Sequence, residues 1–424
     1  MIDKVSLFNK KRDLIFAFFL LLLLSFYSLL IEYNNYKNLT RFDSQLVRAT
    51  LLKQYDKTKI MKKGKSKVYK VLKLKSDNGF TFYTSTKKQN LHIGQTLDFE
   101  IWVERVSFYE FITSFYAFSK IRSIHQQLSF KETLNNLIKN QHTNKSVAHI
   151  YQALFTARQL SSDIQQQFSS LGISHLIAIS GFHLGVLSAL LFFLFKKPYQ
   201  FFQNRYFTYR SYKLDSFIVI SLILLVYLLF LDSPASLLRA FSMLLFGFVL
   251  YDRGIKVVSI QTLFITIVFL LALFPRLAFS LGFGLSIAGV FYIFLFLIHF
   301  KNLSKVWQFL LIPFWVYLMM LPYSLVIFSN FSIYHPLSIV WTTLFTLFYP
   351  LSIFLHLIHQ GDLLDTILLF ATNFHTESIL LSISPLWLFP YIFLSVGAIY
   401  SKKLAYVTLF YVSTIFIYAI YNVT

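Results

Sequence analysis

Polar and apolar positions divide this chain into three zones. One apolar run, residues 14–31, follows Lys10, Lys11 and Arg12 near the start. From about residue 32 to 171 no comparable run occurs, and from Ile173 onward the chain is almost wholly apolar. A helix needs roughly 20 apolar residues to cross the hydrocarbon of a bilayer. Candidate spans fall at 174–195, 214–231, 235–250, 257–274, 279–299, 306–328, 337–357, 379–399 and 404–421, about ten with the first run. This is the pattern of a polytopic α-helical membrane protein. The first run exceeds a signal peptide's apolar core and ends in Glu32-Tyr33-Asn34-Asn35, with no small-residue cleavage site. It is read as an uncleaved helix.

Short-loop lysines and arginines set the expected orientation. Lys4, Lys10, Lys11 and Arg12 predict a cytoplasmic N-terminus, so the polar zone lies outside the cytoplasmic membrane. Lys196, Lys197, Arg205, Arg210 and Lys213 then fall inside, as do Arg253 with Lys256 and Lys301 with Lys305. Lys402 and Lys403 land outside, against the rule. Either that turn is an exception or a segment near 362–374 is re-entrant or interfacial. The pattern leaves both open.

Within the polar zone the period changes to two. Val71, Leu72 and Leu74 stand among lysines, Asp77-Asn78-Gly79 supplies a turn, and Phe80, Phe82 and Thr84 alternate after it. Asn-Gly between two such runs signals a hairpin. Leu97, Phe99, Ile101 and Val103 form a further alternating run after His92-Ile93-Gly94. Several short strands in one small region suggest a small external β-barrel of the OB type. Residues 108–164 read as helical, with aromatic residues near 108–118 suited to a bilayer surface.

Composition sharpens this reading. The chain is 56% hydrophobic, 19% aromatic and 13% charged, too apolar for a soluble domain. It has no cysteine, which excludes disulfides, zinc–thiolate sites and thiol chemistry. The net charge of +21 rests on few segments. The densest holds Lys53, Lys57, Lys59, Lys62, Lys63, Lys65, Lys67, Lys70, Lys73 and Lys75, opposed locally only by Asp56. Such density fits a phosphate backbone, and Tyr69, Phe80, Phe82, Tyr83 and Trp102 are near enough in sequence to stack bases. A solvated face or anionic lipid headgroups explain the lysines equally simply.

The chemistry in the apolar zone is sparse and therefore informative. Ser174–Gly185, SHLIAISGFHLG, carries two histidines, two serines and two glycines inside an apolar stretch. Polar groups in lipid are costly and usually face protein or a water-filled path. As one helix the run would put His175 and His183 on a common face about 12 Å apart, too far for one metal ion. Ser180 and Gly181 then allow close helix contact or a broken helix lining a cavity. Arg239 lies in SPASLLRAFSM with Ser236, Ser242 and Met243 on its face, and either looks inward or snorkels to the interface. In GFGLSIAGV, Gly282, Ser286 and Gly289 line one side and suit tight helix contact. His356 and His359 stand three apart without an evident third metal ligand, and no Walker A motif occurs.

His175, Leu176, Ala178, Ile179, Ser180, Gly181 and His183 match the His-Leu-x-Ala-Ile-Ser-Gly-x-His pattern of the ComEC competence family, whose members import transforming DNA. Arg239, Ala240 and Met243 resemble a second motif of that family. Gly282, Phe283, Leu285 and Ser286 resemble its Gly-Phe-Gln-Leu-Ser motif, with Gly284 in place of Gln. Its Pro-containing segment is only loosely followed at 321–339, and Ile339 stands where Asn is common. The resemblance implies an OB-like domain at 36–106 after a first segment at 1–35. Helices at 107–172 and a channel at 173–424 follow. It implies import of single-stranded DNA through the bacterial cytoplasmic membrane. Lys62, Lys63, Lys65, Lys67, Lys70, Lys73 and Lys75 are expected on DNA, and His175, Ser180, Gly181, His183, Arg239, Gly282 and Ser286 at the channel or its gate. Many relatives add a metallo-β-lactamase-like domain. Its His-x-His-x-Asp-His signature is absent here, so the chain is read as a short form without enzymatic activity or cofactors. A periplasmic DNA receptor, an ATP-driven cytoplasmic motor and a separate nuclease are the expected partners, with membrane lipid around. The alternative is an envelope enzyme or lipid-linked glycan transporter.

Overall fold

The computed structural model describes residues 11–60, 66–86, 91, 94–125, 130–254, 257–373 and 379–422. The chain forms two units, one of residues 14–137 with 269–279 and one built mainly from 138–268 and 280–424.

The first unit is a six-stranded sheet with one long helix. α1 (Lys11–Leu39) carries the first apolar run, and its apolar side chains Ile15, Phe16, Phe19 and Leu23 are exposed, as a lipid-facing helix requires. β1 (Ser44–Ile60) pairs antiparallel with β2 (Ser66–Ser76) and with β4 (Thr96–Trp102), and β2 pairs with β3 (Thr81–Thr86). The expected hairpin forms: Gly79 takes φ +85, a conformation cheap only for glycine, and its N–H donates to Ser76 O at 2.8 Å. Leu97, Phe99, Ile101 and Val103 alternate as expected and are all 0% exposed. They meet Leu72, Leu74, Phe80 and Phe82 in one core.

Residues 108–164 are not helical throughout. α2 (Phe108–Thr113) is a single capped turn and a half, after which β5 (Phe115–Tyr116) joins β3 in parallel and β6 (Phe118–His125) joins β4. Phe115 and Ala117 enter the core, and Ile121 and Ile124 pack against it. That burial outweighs any helical preference. Helices resume with α3 (Phe130–Lys139), α4 (Lys145–Thr156) and α5 (Ser162–Ser170). The paired order β5-β3-β2-β1-β4-β6 is open, with β5 and β6 at its ends. Arg276, from the turn Pro275–Phe279, fastens this unit. It makes two bonds of 2.8 Å to Glu32 of α1, donates to Gly79 O at 3.3 Å and lies 4.8 Å from the Phe111 ring centroid.

The second unit is helical. It contains α6 (Ser174–Ile177), α7 (Gly181–Tyr206), α8 (Tyr212–Phe230), α9 (Ala235–Asp252), α11 (Leu281–His299) and α12 (Lys305–Ile327). After β7 (Asn330–Phe331) come α13 (Ser338–Leu357), α14 (Asp365–Asn373), β8 (Ile379–Leu380), α15 (Leu388–Gly397) and α16 (Lys402–Tyr421), while α10 (Ile260–Leu273) runs between the units' segments. Across the described residues seven helices are long and apolar enough to cross a membrane, the first being Ile15–Leu39. This makes the chain a multi-pass membrane protein. Ile260–Leu273 and Pro385–Gly397 are shorter. Three polar tips packed between α11, α12 and α15 are paired, as a low-dielectric interior favours. Tyr391 Oη donates to Met319 O at 2.5 Å, Tyr292 Oη and Ser395 Oγ stand 2.9 Å apart, and Trp315 Nε1 donates to Tyr292 O at 3.1 Å.

Besides the shortened span at 257–274, two expected spans differ. Residues 174–195 are not one helix: α6 ends at Ile177, and α7 starts at Gly181 and continues to Tyr206. Residues 379–399 begin as β8, which pairs with β7, and hold only the short α15. This pairing resolves the misplaced lysines. β7 follows the C-terminus of α12, so β8 returns to that end of the bundle. At the opposite end His299 Nε2 meets Ala398 O at 2.6 Å and Lys402 Nζ lies 4.9 Å from the Phe300 ring centroid. Lys402 and Lys403 thus share an end with Lys301 and Lys305, in agreement with the charge rule. With β8 at the end of the bundle where α13 begins, the turn before α16 falls on the side that the charge count expects.

Candidate functional site

Ser180 and His183 build the start of α7. Ser180 is extended, with φ −135 and ψ 174, and its hydroxyl accepts from Phe182 N at 3.3 Å. His183 occupies the third helical position and turns back, with Nδ1 accepting from Ser180 N at 3.2 Å and lying 3.1 Å from Ser180 Oγ. This is a capping box in which histidine replaces the usual Glu or Gln. A neutral imidazole satisfies a backbone donor there without bringing a negative charge to the positive end of the helix.

Gly181 sets how closely α9 approaches. A Cβ added to it would lie 2.9 Å from Ala240 Cβ and 3.3 Å from Arg239 Nη2. Ser236 Oγ donates to Ile179 O at 3.2 Å, capping the non-helical stretch between α6 and α7. The contact holds the Arg239 guanidinium beside the N-terminus of α7. Arg239 is 5% exposed, so it does not snorkel into solvent at the surface of the described protein. Among the described residues its Nε and Nη1 have no hydrogen-bond partner, nor does His183 Nε2. A buried charge without a partner costs several kcal/mol, so the fold maintains an electropositive point at a real cost.

Aromatic rings wall this point. His183 is 0% exposed and meets Phe345 edge-on at 5.1 Å and Tyr349 at 4.8 Å, while Tyr349 Oη lies 3.2 Å from Tyr227 Oη. None of these three aromatic residues was a candidate from the sequence, although Tyr349 beside Pro350 in an apolar run was a signal. His175 lies across the helix break and remains accessible, its Nε2 3.4 Å from Thr342 Oγ1. The expected common face with His183 is absent, because residues 178–180 are not helical. Gly282 and Ser286 sit on α11 and take no part in these contacts. A Cβ at Gly282 would meet only Ser280 Oγ, at 4.0 Å, and at Gly289 nothing within 4 Å, so no close helix approach occurs there. His356 and His359 do not pair: His359 is exposed past the end of α13 with φ +60.

The sheet unit carries a second cluster. Lys62, Lys63 and Lys65 lie outside the described residues, and Lys67 enters only as a backbone partner of Lys59 in the ladder. Leu72 and Leu74 point inward, which turns Lys73 and Lys75 outward. Lys73 stands opposite Lys53 on β1 and opposite Tyr83 on β3, its ammonium 5.6 Å from the Tyr83 ring centroid. Lys70 stands opposite Asp56 and Thr86, and Lys75 opposite Thr50 and Thr81. Tyr83 is flanked in turn by Tyr116, which meets Phe118 edge-on at 5.7 Å. Like charges directly opposite in a ladder are destabilising, so the Lys53–Lys73 pair gains from an anion. Phe80 and Phe82, expected to stack bases, are 2% and 0% exposed and belong to the core. Trp102 and the unforeseen Tyr116 and Phe118 are exposed, at 43%, 49% and 73%.

Two carboxylates of β4, Asp98 and Glu100, are occupied. Arg48 bonds Asp98 at 2.8 Å, and Ser123 and His125 bond its other oxygen at 2.6 and 2.7 Å. Arg48 first, then Ser123 and His125, hold the Asp98 carboxyl well below the usual carboxylate range. Arg122 pairs with Glu100.

The family model described as Competence protein matches residues 154–422 of this chain. No curated protein matches it, and no solved structure does.

Proposed function

The chain belongs to the Competence protein family, and from that membership we propose that it conducts one strand of DNA across the bacterial cytoplasmic membrane. Membership supports a role in DNA uptake during competence, and the seven apolar helices support a multi-pass membrane protein. The observation that carries the finer reading is the buried electropositive point at the start of α7. Arg239 and His183 there present polar atoms without partners among the described residues. A phosphodiester is the ligand such a point suits. It offers oxygens to the guanidinium fork and negative charge to the helix N-terminus.

In this reading the sheet unit delivers the strand. An OB-type barrel is supported by the continuity of β5 and β6, which are separated only by Ala117. Its N–H donates to Tyr83 O at 2.9 Å, while Thr84 Oγ1 and Ser119 Oγ lie 2.7 Å apart, so the strand bearing both ends of the open order lies against β3. Lysines on one side of the face and exposed rings beside them suit single-strand binding. Strand separation, cleavage and ATP hydrolysis are assigned to partners: a periplasmic DNA receptor, a separate nuclease and a cytoplasmic motor. The polypeptide itself is proposed to be neither nuclease nor ATPase.

DNA as the substrate is tested by following the binding of labelled single-stranded DNA to the full-length protein against salt. Changing Lys67, Lys70, Lys73 and Lys75 to Gln should flatten the slope by up to about one unit for each phosphate no longer neutralised. An unchanged slope in a folded variant removes DNA from this face.

A further inference from the structure

A second buried polar cluster lies in the helical unit, apart from Arg239. His142, in the turn before α4, is fully buried, and its Nδ1 lies 2.9 Å from Asp365 Oδ1 at the start of α14. Its Nε2 lies 3.0 Å from His356 Nε2 on α13. His356 Nδ1 lies 2.7 Å from Ser352 O. Tyr151 of α4 stacks on the His142 ring at 4.6 Å, and Gln141 Oε1 accepts from Gly361 N at 3.1 Å while its amide donates to His356 O at 3.2 Å. A Cβ at Gly361 would lie 2.8 Å from His356 Nε2, so the chain closes tightly over the cluster.

The three hydrogen bonds can be counted in protons. Ser352 O only accepts, so His356 Nδ1 carries a hydrogen and, in a neutral ring, Nε2 is an acceptor. His142 must then donate through Nε2, which leaves its Nδ1 as an acceptor facing Asp365. The two neutral rings supply two protons for three bonds. The third comes from outside the rings. Without it, two acceptors face each other somewhere along the chain, and shifting the tautomers only moves the clash from one bond to the next.

We infer that His142, His356 and Asp365 form a binding site for a single proton, whose occupancy fastens the turn before α4 to α13 and α14. The other titratable group facing the cluster is Asp362, on the turn leading into α14; Tyr151 Oη, also buried, has no partner among the described residues. Burial first, and then Asp362, push the Asp365 carboxyl up to about 6, and burial holds His142 below its ordinary value. Both shifts favour the neutral chain with the proton on Asp365. A carboxyl whose folded value is raised binds its proton more tightly in the closed form, so Asp365's share of the fastening is complete below the ordinary value near 3.8 and is lost as pH rises toward about 6. Buried His142 works in the opposite direction, because the open form takes up its proton as pH falls below the ordinary imidazole value of about 6.5.

Hydrogen–deuterium exchange of the full-length protein in lipid nanodiscs reads this directly. Asp365→Asn donates to His142 without a titratable proton and shares the histidine contribution with wild type, so the ratio of the two isolates the Asp365 proton. That ratio, wild type over Asp365→Asn, for protection of Lys145–Thr156 should fall up to about tenfold for each pH unit between roughly 4 and 6, then level off. His142→Phe should be loose throughout. A ratio that is flat with pH would overturn the inference. So would an Asp365→Asn variant that is as loose as His142→Phe. Zinc that tightens α4 in wild type but not in His142→Phe would place a metal ion where the proton is assigned. The cluster is independent of the DNA reading, and a failure here leaves that reading untouched.

Discussion

Cells carrying Gly181→Leu should take up DNA roughly ten- to a hundredfold less well while keeping the protein in their membranes. The expectation follows from the 2.9 Å between the missing Cβ and Ala240. Overpacking at a tight contact costs about 1–3 kcal/mol, and each 1.4 kcal/mol is about a factor of ten in an equilibrium. Here the strain falls where α7 begins, so relief requires moving Ser180 and His183 away from Arg239. Even Gly181→Ala should lower uptake, by less. Ala240→Gly should restore much of that deficit, because it removes the atom that collides, and the pair should be strongly non-additive. Transformation frequency, normalised to membrane abundance, is the readout. Loss of the protein from the membrane would make Gly181 a folding residue only. Normal uptake would exclude any role for the contact.

Arg239 gives the opposite signs for stability and function. Arg239→Gln should lower uptake by roughly tenfold to a hundredfold, the scale of a missing charged hydrogen bond of about 1.5–3 kcal/mol. Arg239→Lys should keep part of the transport, since it retains charge but loses the planar fork. Arg239→Met should raise the melting temperature of the DNA-free protein, because it removes a buried charge that has no ion-pair partner among the described residues. Thermal unfolding in lipid and uptake in cells check the two halves separately. If Arg239 were a structural cation, all three variants would be destabilised. A variant that is both unchanged in stability and normal in uptake would take Arg239 out of the account.

Much of the fold was legible where period and charge agreed. The turn at Asn78-Gly79 and the alternation through Leu97 and Val103 announced strands that the sheet contains. β5 and β6 were not legible, because Phe108–Phe118 is dense in aromatic residues that suit a core, a strand or a bilayer surface equally well. The break before α7 was hidden for a related reason. Ala178 and Ile179 are apolar, so hydropathy runs through a stretch whose backbone is not helical. Lys402 and Lys403 did announce the return of the chain through α14 and β8, as a conflict with the charge rule that only the β7–β8 pairing settles. At the site, Ser180, Gly181, His183 and Arg239 were legible because polar groups are rare in that zone. Gly282 and Ser286 were chosen from the resemblance to the Gly-Phe-Gln-Leu-Ser motif and lie on α11, outside these contacts. The His142 cluster had no local signal, since its two histidines are 214 residues apart. Such a pair is found by geometry alone.

The proposed passage of a DNA strand past the start of α7 can be tested directly because the chain has no cysteine. Gly185 lies one turn beyond Gly181, with nothing within 4 Å of its added Cβ, so Gly185→Cys introduces a unique thiol into open space. Cells making this variant are given labelled DNA carrying thiol-reactive groups along one strand, and the protein is recovered during uptake. A protein–DNA adduct should form at position 185 and disappear when Arg239→Gln is added at equal protein levels. DNA that enters the cell at normal rates without ever reacting at position 185 would contradict it.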